Sequence, residues 1–253
     1  MNKSPGQDNS PIFEKNNHPM KGRLFLVPVT IGDTEVDQVI PAYVLNLIHD
    51  IRHYIVENER TARRMLIKLG IRTPIDDLRF YILDKHTTNE EISSYLDPID
   101  EGDMGLLSEA GVPAIADPGG EIVAMAHRRN IRVVPLVGPS SILLAMMASG
   151  MNGQNFAFNG YLPIQRGDRA KRIRQLESRS STEKQAQIFI ETPYRNNQLL
   201  EDLLVVCSDH TMLCIAADIS GENEFIRTQS VQSWKKTVPD INKRPAIFIL
   251  QKN

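Results

Sequence analysis

The stretch "GLLSEAGVPAIADPGGEIV" (residues 105–123) decides the fold class. Its apolar start predicts a buried strand, and its end, with Glu121 in a first helical turn, predicts a helix. The loop between them is rich in glycine and proline and exceeds the about two to six residues of an ordinary strand-to-helix connection. Strand, loop and helix form the repeating unit of an α/β fold, and a loop of this length raises the question of what it holds.

The same alternation occurs before and after this stretch. Strands are expected at 23–29, 53–57, 79–84, 104–108 and 131–137. Helices are expected from about Pro41, over 59–69 with Gly70 as the stop, over 88–96 and over 121–129. Alternating strands and helices predict a mainly parallel sheet with helices on both faces.

A second α/β domain is expected after this sheet. A helix over 138–150 begins it, so the domains are predicted as 23–138 and 139–253. Strands are expected at 156–162, 187–191, 211–218, 224–229 and 246–251, with helices at about 168–178 and 194–206. Because the last three strands have little helix between them, antiparallel pairs and a mixed sheet follow. Residues 1–22 are expected to be a polar extension, without a secretion signal, before a cytoplasmic fold.

Composition excludes several classes of protein. The chain has 253 residues, 41% hydrophobic and 24% charged, as in globular proteins, and no apolar run approaches the length of a membrane span. A net charge of −2 argues against a generally positive nucleic-acid-binding surface, although it permits a local basic groove. Cys207 and Cys214 are interpreted as small buried hydrophobes, and the histidines show no metal-ligand spacing, so no metal site is predicted.

Three loops rich in glycine, proline and small polar residues are expected at one edge of the first sheet: 28–33, 108–120 and 137–141. Ligands of open α/β sheets bind at that edge, so we favour a ligand site. The alternative is that these residues only form turns, with Asp117 as a helix N-cap and Pro118 at the first helical position. Neither a GxGxxG fingerprint nor a GxxxxGK[ST] loop is present, so the residues alone do not name the ligand.

At these loops the sequence resembles the tetrapyrrole methylase superfamily, and within it the branch of ribosomal RNA small subunit methyltransferase I, which comprises cytidine 2′-O-methyltransferases. From about Arg23 to the C-terminus, motif segments recur in order: "LVPVTIGD", "YIVENERTARRML", "LLSEAGVPAIADPGG", "VVPLVGPSSILLAMMASGM", "FAFNGYLPIQRGDR" and "FIETPYRNNQLL". They are similar to P-T-P-I-G-N, A-E-D-T-R, S-D-A-G-T-P-x-I-x-D-P-G, V-x-P-x-P-G-P-S-A, F-x-F-x-G-F-L-P and Y-E-S-x-x-R. The sequence departs from these patterns at Asn58 and Glu59, and "AADISGEN" stands for A-R-E-L-T-K.

The resemblance implies a homodimer of two-domain chains that holds S-adenosylmethionine in a cleft between the domains. Motif matching assigns the cofactor to one set of residues in the first domain and the helix after it: Pro28, Ser108, Glu109, Ala110, Gly111, Ile115, Gly138, Pro139 and Ser140. It assigns a second set in the second domain: Ala216, Ala217, Pro245 and Ala246.

The resemblance further implies methylation of structured RNA at a ribose 2′-hydroxyl, for which a positioned base is useful because this hydroxyl has a high pKa. The expected bases are Glu191, which could instead pair with Arg195, and Glu57, which could instead pair with Arg60 or Arg64. The basic run 166–174 and the matched segment near residue 195 suggest substrate contacts from a set of arginines: Arg166, Arg169, Arg172 and Arg195. A solvated helix face is the structural alternative for the basic run.

Two other functions remain open from the sequence. The acceptor could be a small molecule such as a tetrapyrrole, or the chain could be a relative that binds S-adenosylmethionine without catalysis.

Overall fold

The chain folds around two sheets of five strands each. The structure is a computed structural model that describes residues 22–84 and 86–252. The N-terminal extension predicted for residues 1–22 lies outside the described residues, apart from Gly22. Within the described ranges, no helix combines the length and apolar character needed to cross a membrane.

The first sheet has the strand order β3-β2-β4-β1-β5, and all of its strand pairs are parallel. Its strands are β1 (Leu24–Val27), β2 (His53–Val56), β3 (Arg79–Ile82), β4 (Met104–Leu107) and β5 (Val133–Pro135). The helices around it are α1 (Val36–Val39), α2 (Ala42–Ile48), α3 (Glu59–Lys68), α4 (Asn89–Ser94) and α5 (Gly119–Arg128). Short 3₁₀ turns cover Ile75–Asp77 and Asp97–Asp100. The predicted five-stranded parallel sheet is confirmed.

Local sequence explains where these elements begin and end. The Asn58 side chain accepts the backbone N–H of Thr61 at 3.1 Å and caps α3. Gly70, with φ +75°, lies just past the end of α3. Alternate residues of the strands face two separate cores: Phe25 packs with the α2 and α3 side, and Leu24 packs with the α5 side. Helices therefore cover both faces, as a parallel sheet requires.

The second sheet has the order β6-β7-β10-β8-β9. Its strands are β6 (Phe156–Tyr161), β7 (Ala186–Ile190), β8 (Met212–Ala217), β9 (Phe225–Ser230) and β10 (Ala246–Gln251). The helices around it are α6 (Ser141–Ser149), α7 (Arg166–Glu183), α8 (Asn196–Val206) and α9 (Val231–Trp234), with a 3₁₀ turn at Pro193–Arg195. The pair β6–β7 is parallel and the pairs β7–β10, β10–β8 and β8–β9 are antiparallel, which confirms the mixed sheet.

The helix α6 packs on the second sheet rather than on the first. Ala145 and Met146 share a core with Ile188 and Ala216, while α7 and α8 cover the opposite face around Phe189. This packing supports a domain boundary between residues 138 and 139, which stays a prediction.

Several details differ from the sequence-based expectation, among them the added helix α9 after β9. The structure adds α1 within the loop after β1, and α7 continues to residue 183, beyond the predicted end at 178. Cys207 and Cys214 are free and buried, and burial raises the pKa of the Cys207 thiol to about 12. Within the described part of the chain, no three histidine, cysteine or acidic side chains are arranged so that they could hold a metal ion.

Candidate functional site

The site is built at the carboxyl edge of the first sheet. Because the strands are parallel, the loops after β1, β2, β4 and β5 leave from the same edge. The neighbouring strands β1 and β4 connect in opposite directions along the sheet, β1 towards β2 and β4 towards β5. Such a reversal opens a crevice between the departing loops, and α/β sheets bind ligands there.

Two glycines let these loops approach one another closely. Gly111 has φ +73°, and a Cβ there would lie 2.9 Å from the carbonyl oxygen of Pro139. A Cβ on Gly138 would lie 2.1 Å from the Cβ of Pro28. The backbone N–H of Val29 donates to the carbonyl of Gly111 at 2.9 Å. Larger residues at these glycines would separate the loops after β1, β4 and β5.

The loop after β4 holds its shape through Asp117. Its carboxylate accepts the backbone N–H of Ala114 at 2.9 Å and that of Gly119 at 2.8 Å. Ala114 and Ala116 take left-handed φ values of 65° and 64°, a conformation that costs free energy in an L-residue. The helix N-cap is Pro118 rather than Asp117, so the alternative of Asp117 as N-cap and Pro118 as first helical residue is corrected by one position.

A cavity of about 300 Å³ lies between this loop edge and the second sheet. The hydroxyl of Thr34 donates to the carbonyl of Ser220 at 2.9 Å and links the loop after β1 to the loop after β8. Six of the cofactor residues expected from the motifs line the cavity: Ser108, Glu109, Ala110, Gly111, Ile115 and Ser140. The expected residues Pro28, Gly138 and Pro139 lie behind them, where they pack against one another and against Gly111.

The second-domain side of the cavity differs from the motif-based expectation. Ala216 and Ala217 have no exposed surface, so neither presents a contact to a ligand, and this assignment is corrected. Pro245 and Ala246 are not among the lining residues either. The wall consists of apolar and aromatic side chains that the sequence analysis assigned only to strands and a helix: Ile142, Phe158, Tyr161, Ile190 and Ile247. The pairing of the strands could have predicted that these side chains meet, because Ile190 lies opposite both Tyr161 and Ile247.

A more open cavity of about 530 Å³ lies at the "AADISGEN" loop and is lined in part by Asp218, Glu224 and Arg244. Arg244 Nε lies 2.6 Å from Asp218 Oδ2, so the two side chains neutralise each other in an ion pair. Ala217 precedes Asp218 in the chain, and Pro245 follows Arg244. Neither Ala217 nor Pro245 lines the smaller cavity.

Glu57 lies in the smaller cavity, and its pKa is raised. Burial is the largest cause, and repulsion from Asp117 and Glu109 adds to it, against a hydrogen bond that the backbone N–H of Glu109 donates to the carboxylate at 3.3 Å. Burial also raises the pKa of Asp117. In the described part of the chain, Glu57 forms no ion pair with Arg60 or Arg64, so the structural alternative for this residue is wrong.

Glu191 has the opposite outcome. Its side chain is fully buried, and one oxygen accepts the backbone N–H of Thr192 and the guanidinium of Arg195, each at 2.6 Å. It is not among the residues that line the cavity. The structural alternative, a partner for Arg195, is therefore what the structure shows.

The basic run 166–174 divides into buried and exposed members. Arg169 is only 1% exposed, and its Nε and Nη2 lie 2.7 and 2.6 Å from Asp202 Oδ2. The expected RNA contact of Arg169 is corrected, because a buried and paired guanidinium cannot reach a ligand at the surface. Arg166 binds the other Asp202 oxygen at 2.8 Å but keeps 66% of its side chain exposed. Arg172 donates to the side chain of Asn159 at 3.1 Å.

The lining of the smaller cavity fits S-adenosylmethionine, the cofactor that the resemblance implies. The carboxylates of Glu57, Glu109 and Asp117 favour a cationic ligand, and the apolar second-domain wall favours uncharged parts of it. Ser140 caps α6 without a side-chain hydrogen bond, so the first N–H groups of this nine-residue helix remain available to oxygen atoms of a ligand. Within the described residues, the site combines a place for positive charge with donors for anionic groups.

Comparisons with known proteins agree with this geometry. The chain is 30% identical to ribosomal RNA small subunit methyltransferase I of Pseudomonas aeruginosa over 82% of its own length and 70% of that protein. It is 31% identical to the protein of the same name from Halalkalibacterium halodurans, over 82% of this chain and 68% of that one. No protein-family model matches the chain.

Solved structures share the fold. The methyltransferase CobJ has a TM-score of 0.61 and 14% identity, over 91% of this chain and 94% of that one. A diphthine synthase has a TM-score of 0.64 and 14% identity, over 90% and 88% of the two chains. Taken with the sequence relatives, these matches show that the chain belongs to the ribosomal RNA small subunit methyltransferase I family, S-adenosylmethionine-dependent methyltransferases with the tetrapyrrole methylase fold.

Proposed function

We propose that this methyltransferase modifies a ribose 2′-hydroxyl of small-subunit ribosomal RNA. The relatives' names supply the substrate class, and the observation that carries the chemistry is Glu57, a carboxylate with a raised pKa in the cavity that fits the cofactor. From the ribosomal substrate we also infer a cytoplasmic location for the chain.

The chain's contribution to the reaction is alignment and proton transfer. S-adenosylmethionine supplies a methyl group on a sulfonium, which is already activated for attack. The loops that meet at Gly111 and Gly138 orient the donor, and alignment is worth up to about 7–11 kcal/mol in well-oriented reactions. Glu57 would accept the hydroxyl proton as the methyl group passes from the donor's sulfur to that oxygen, which would leave S-adenosylhomocysteine. A raised pKa makes its carboxylate a stronger proton acceptor than an exposed glutamate.

We infer that the RNA is held through exposed cations of α7 and of the turn after β7. Arg166 and Arg195 keep exposed surface while carboxylates fix their positions, and Lys171 and Arg174 are exposed on α7. Together they offer phosphate contacts in a chain whose net charge is −2. Glu191 serves this surface as a positioning residue, because it holds Arg195.

We also propose that the chain forms a homodimer through the outer face of α6. This helix packs on the second sheet, yet Leu143 and Met147, one turn apart on its outer side, are 53% and 79% exposed. A helix with apolar residues on all sides is normally covered on all sides. A second copy of the chain supplies such a cover, and sedimentation should show a dimer for the wild type and a monomer for Met147→Lys. A wild-type monomer would contradict this assembly.

Transfer of a labelled methyl group tests the proposed function. Small ribosomal subunits from a strain that lacks the gene should become labelled at a ribose, and subunits from the parent strain should not. A porphyrinoid precursor should stay unlabelled. Label only in the porphyrinoid would overturn the RNA substrate in favour of a tetrapyrrole acceptor.

A further inference from the structure

Two of the six tyrosines differ from the others. Four have a phenolic oxygen in a hydrogen bond: Tyr43, Tyr54, Tyr81 and Tyr95. Tyr161 and Tyr194 have no hydrogen-bond partner or ring contact among the described residues, and they are 59% and 75% exposed. Tyrosine is enriched at interfaces, and exposed aromatic residues that lie together mark binding surfaces, whereas a single exposed one does not.

Both tyrosines lie at the end of the second sheet where β6 and β7 leave it. Tyr161 ends β6 and lines the cavity, and Tyr194 follows β7 in the 3₁₀ turn Pro193–Arg195. Because β6 and β7 are adjacent and parallel, their carboxyl ends leave the sheet together. The Cα pairing of Tyr161 with Ile190 places Tyr194 only four residues further along the neighbouring chain segment.

A fixed cation accompanies the rings. Arg195 is adjacent to Tyr194 in the chain, and the buried Glu191 holds its guanidinium at 2.6 Å. The hydrogen bond to Glu191 is the main cause of the raised pKa of Arg195, and Tyr161 is close enough to contribute. Arg166, 66% exposed, begins α7 five residues after Tyr161. Arg195 thus lies near Tyr161, which lines the cavity, and Arg166 follows Tyr161 closely along the chain.

Exposed aromatic rings next to fixed guanidinium groups match a nucleic acid better than a small acceptor such as a tetrapyrrole. Every nucleobase has a face that stacks on aromatic rings or guanidinium planes, and every nucleotide carries a phosphate for an arginine. In an A-form helix the bases are stacked on each other, so only unpaired or extruded bases can reach such rings.

We propose that Tyr161 and Tyr194 form a stacking platform for unpaired bases of the RNA substrate, with Arg195 and Arg166 on the adjacent phosphates. The platform rests on the proposed function and makes it more specific, because it selects RNA whose acceptor nucleotide lies outside a duplex. The acceptor's base leaves its neighbours and stacks beside the cavity, which brings its ribose to the methyl donor.

The test compares ring removal with hydroxyl removal. Tyr194→Leu and Tyr161→Leu remove the aromatic face, whereas Tyr194→Phe and Tyr161→Phe keep it and serve as matched controls. The substrate is a hairpin RNA that carries the position methylated by the wild type, either free or annealed to a complementary strand. A version with an abasic acceptor nucleotide removes the base that stacks and leaves the acceptor ribose and the phosphates.

We expect the Leu variants to raise KM for the hairpin by roughly 5- to 150-fold, the range measured for the loss of base–aromatic stacking. The Phe variants should stay within about two-fold of the wild type, since the phenols have no partner to lose. For the wild type, KM should be higher with the abasic RNA than with the intact hairpin. With the abasic RNA, the difference in KM between the wild type and the Leu variants should be smaller. Calorimetry should show unchanged S-adenosylhomocysteine affinity in the two Tyr194 variants, because Tyr194 is not among the residues that line the cofactor cavity. Thermal melting should show the wild-type Tm for all four variants, which excludes misfolding.

Each contrary result has a distinct meaning. Leu variants with wild-type KM, or Phe variants as impaired as Leu variants, would overturn the platform while the RNA function stands. Equal methylation of hairpin and annealed duplex by the wild type would overturn it as well. A wild type that labels a porphyrinoid and no RNA would refute the proposed function, and the RNA platform with it.

Discussion

The backbone N–H of Glu109 donates a hydrogen bond to the Glu57 carboxylate over 3.3 Å, and this contact joins the loop after β4 to the end of β2. Both residues line the cavity. The contact therefore couples the position of the proposed base to the loop that holds the methyl donor.

Replacing Glu57 by Gln should lower kcat by about 10²–10⁴-fold, the usual contribution of general base catalysis. The amide oxygen of Gln can still accept the Glu109 N–H, so the loops should stay in place. In the wild type, kcat should fall as the pH drops through the raised pKa of Glu57, and the residual rate of the variant should lose this dependence. Single-turnover methyl transfer across pH measures both effects.

Glu59→Gln is the matched control, because Glu59 lies on α3 outside the cavity and pairs with Arg63. Its kcat and pH profile should equal those of the wild type.

Since the folded-state pKa of Glu57 is raised, its stabilising contribution exists below the unfolded pKa and is lost as the pH rises through the folded pKa. Glu57→Gln should therefore melt no lower than the wild type at pH 7. A large loss of Tm would mean that Glu57 supports the fold.

Charge in the cavity should make cofactor discrimination depend on pH. S-adenosylmethionine carries a sulfonium that S-adenosylhomocysteine lacks, and a bound cation favours the ionised forms of Glu57 and Asp117. As the pH rises through their raised pKa values, affinity for S-adenosylmethionine should increase relative to that for S-adenosylhomocysteine. Calorimetry of both ligands at several pH values gives the ratio. A ratio that does not change with pH would place the sulfur away from these carboxylates.

Gly111→Ala should destabilise the chain by about 1–3 kcal/mol, because alanine would take a left-handed φ of +73° with its Cβ 2.9 Å from the Pro139 carbonyl oxygen. It should also weaken S-adenosylhomocysteine binding. Gly120→Ala, in α5 with nothing within 4 Å of its Cβ, is the control and should stabilise by up to about 1 kcal/mol. Chemical denaturation measures both, and equal effects of the two substitutions would contradict the close approach of the loops.

Arg169→Met should destabilise the chain by about 3–5 kcal/mol, since it leaves the buried Asp202 without its main partner. The double variant Lys171→Gln/Arg174→Gln changes exposed charges on the same helix and should keep the wild-type Tm. It should instead lower the salt dependence of RNA binding by about one unit of slope for each phosphate that no longer meets a cation. RNA titrations at several salt concentrations measure this slope. An unchanged slope would move the RNA away from α7.

Local pattern was enough to predict the strands, because each is a short apolar run between turn residues. It was insufficient where a distant residue decides the environment. Arg169 has the composition of an exposed basic helix, yet Asp202, 33 residues later on α8, holds it in the core. The second half of α7 lacks an apolar period, although Ser180 is buried there, so its end was predicted too early.

The candidate site was predictable where backbone geometry carries it and not where side chains from the second sheet do. Gly111 and Gly138 are visible in the sequence as residues that permit close approach. Ile190 and Ile247 look like ordinary core residues of strands, and only the register of β7 with β10 brings them together at the cavity. Glu57 lies before the start of α3, so its spacing to Arg60 and Arg64 does not put the three side chains on one helix face. The Glu57 side chain lines the cavity instead.

The most direct test of the central claim is a crystal structure with bound S-adenosylhomocysteine. We predict that its sulfur lies in the cavity between the two sheets, with Glu57 on one side and Gly111 and Ser140 on the other. A ligand bound elsewhere, or a cavity that stays empty at saturating concentration, would contradict the account.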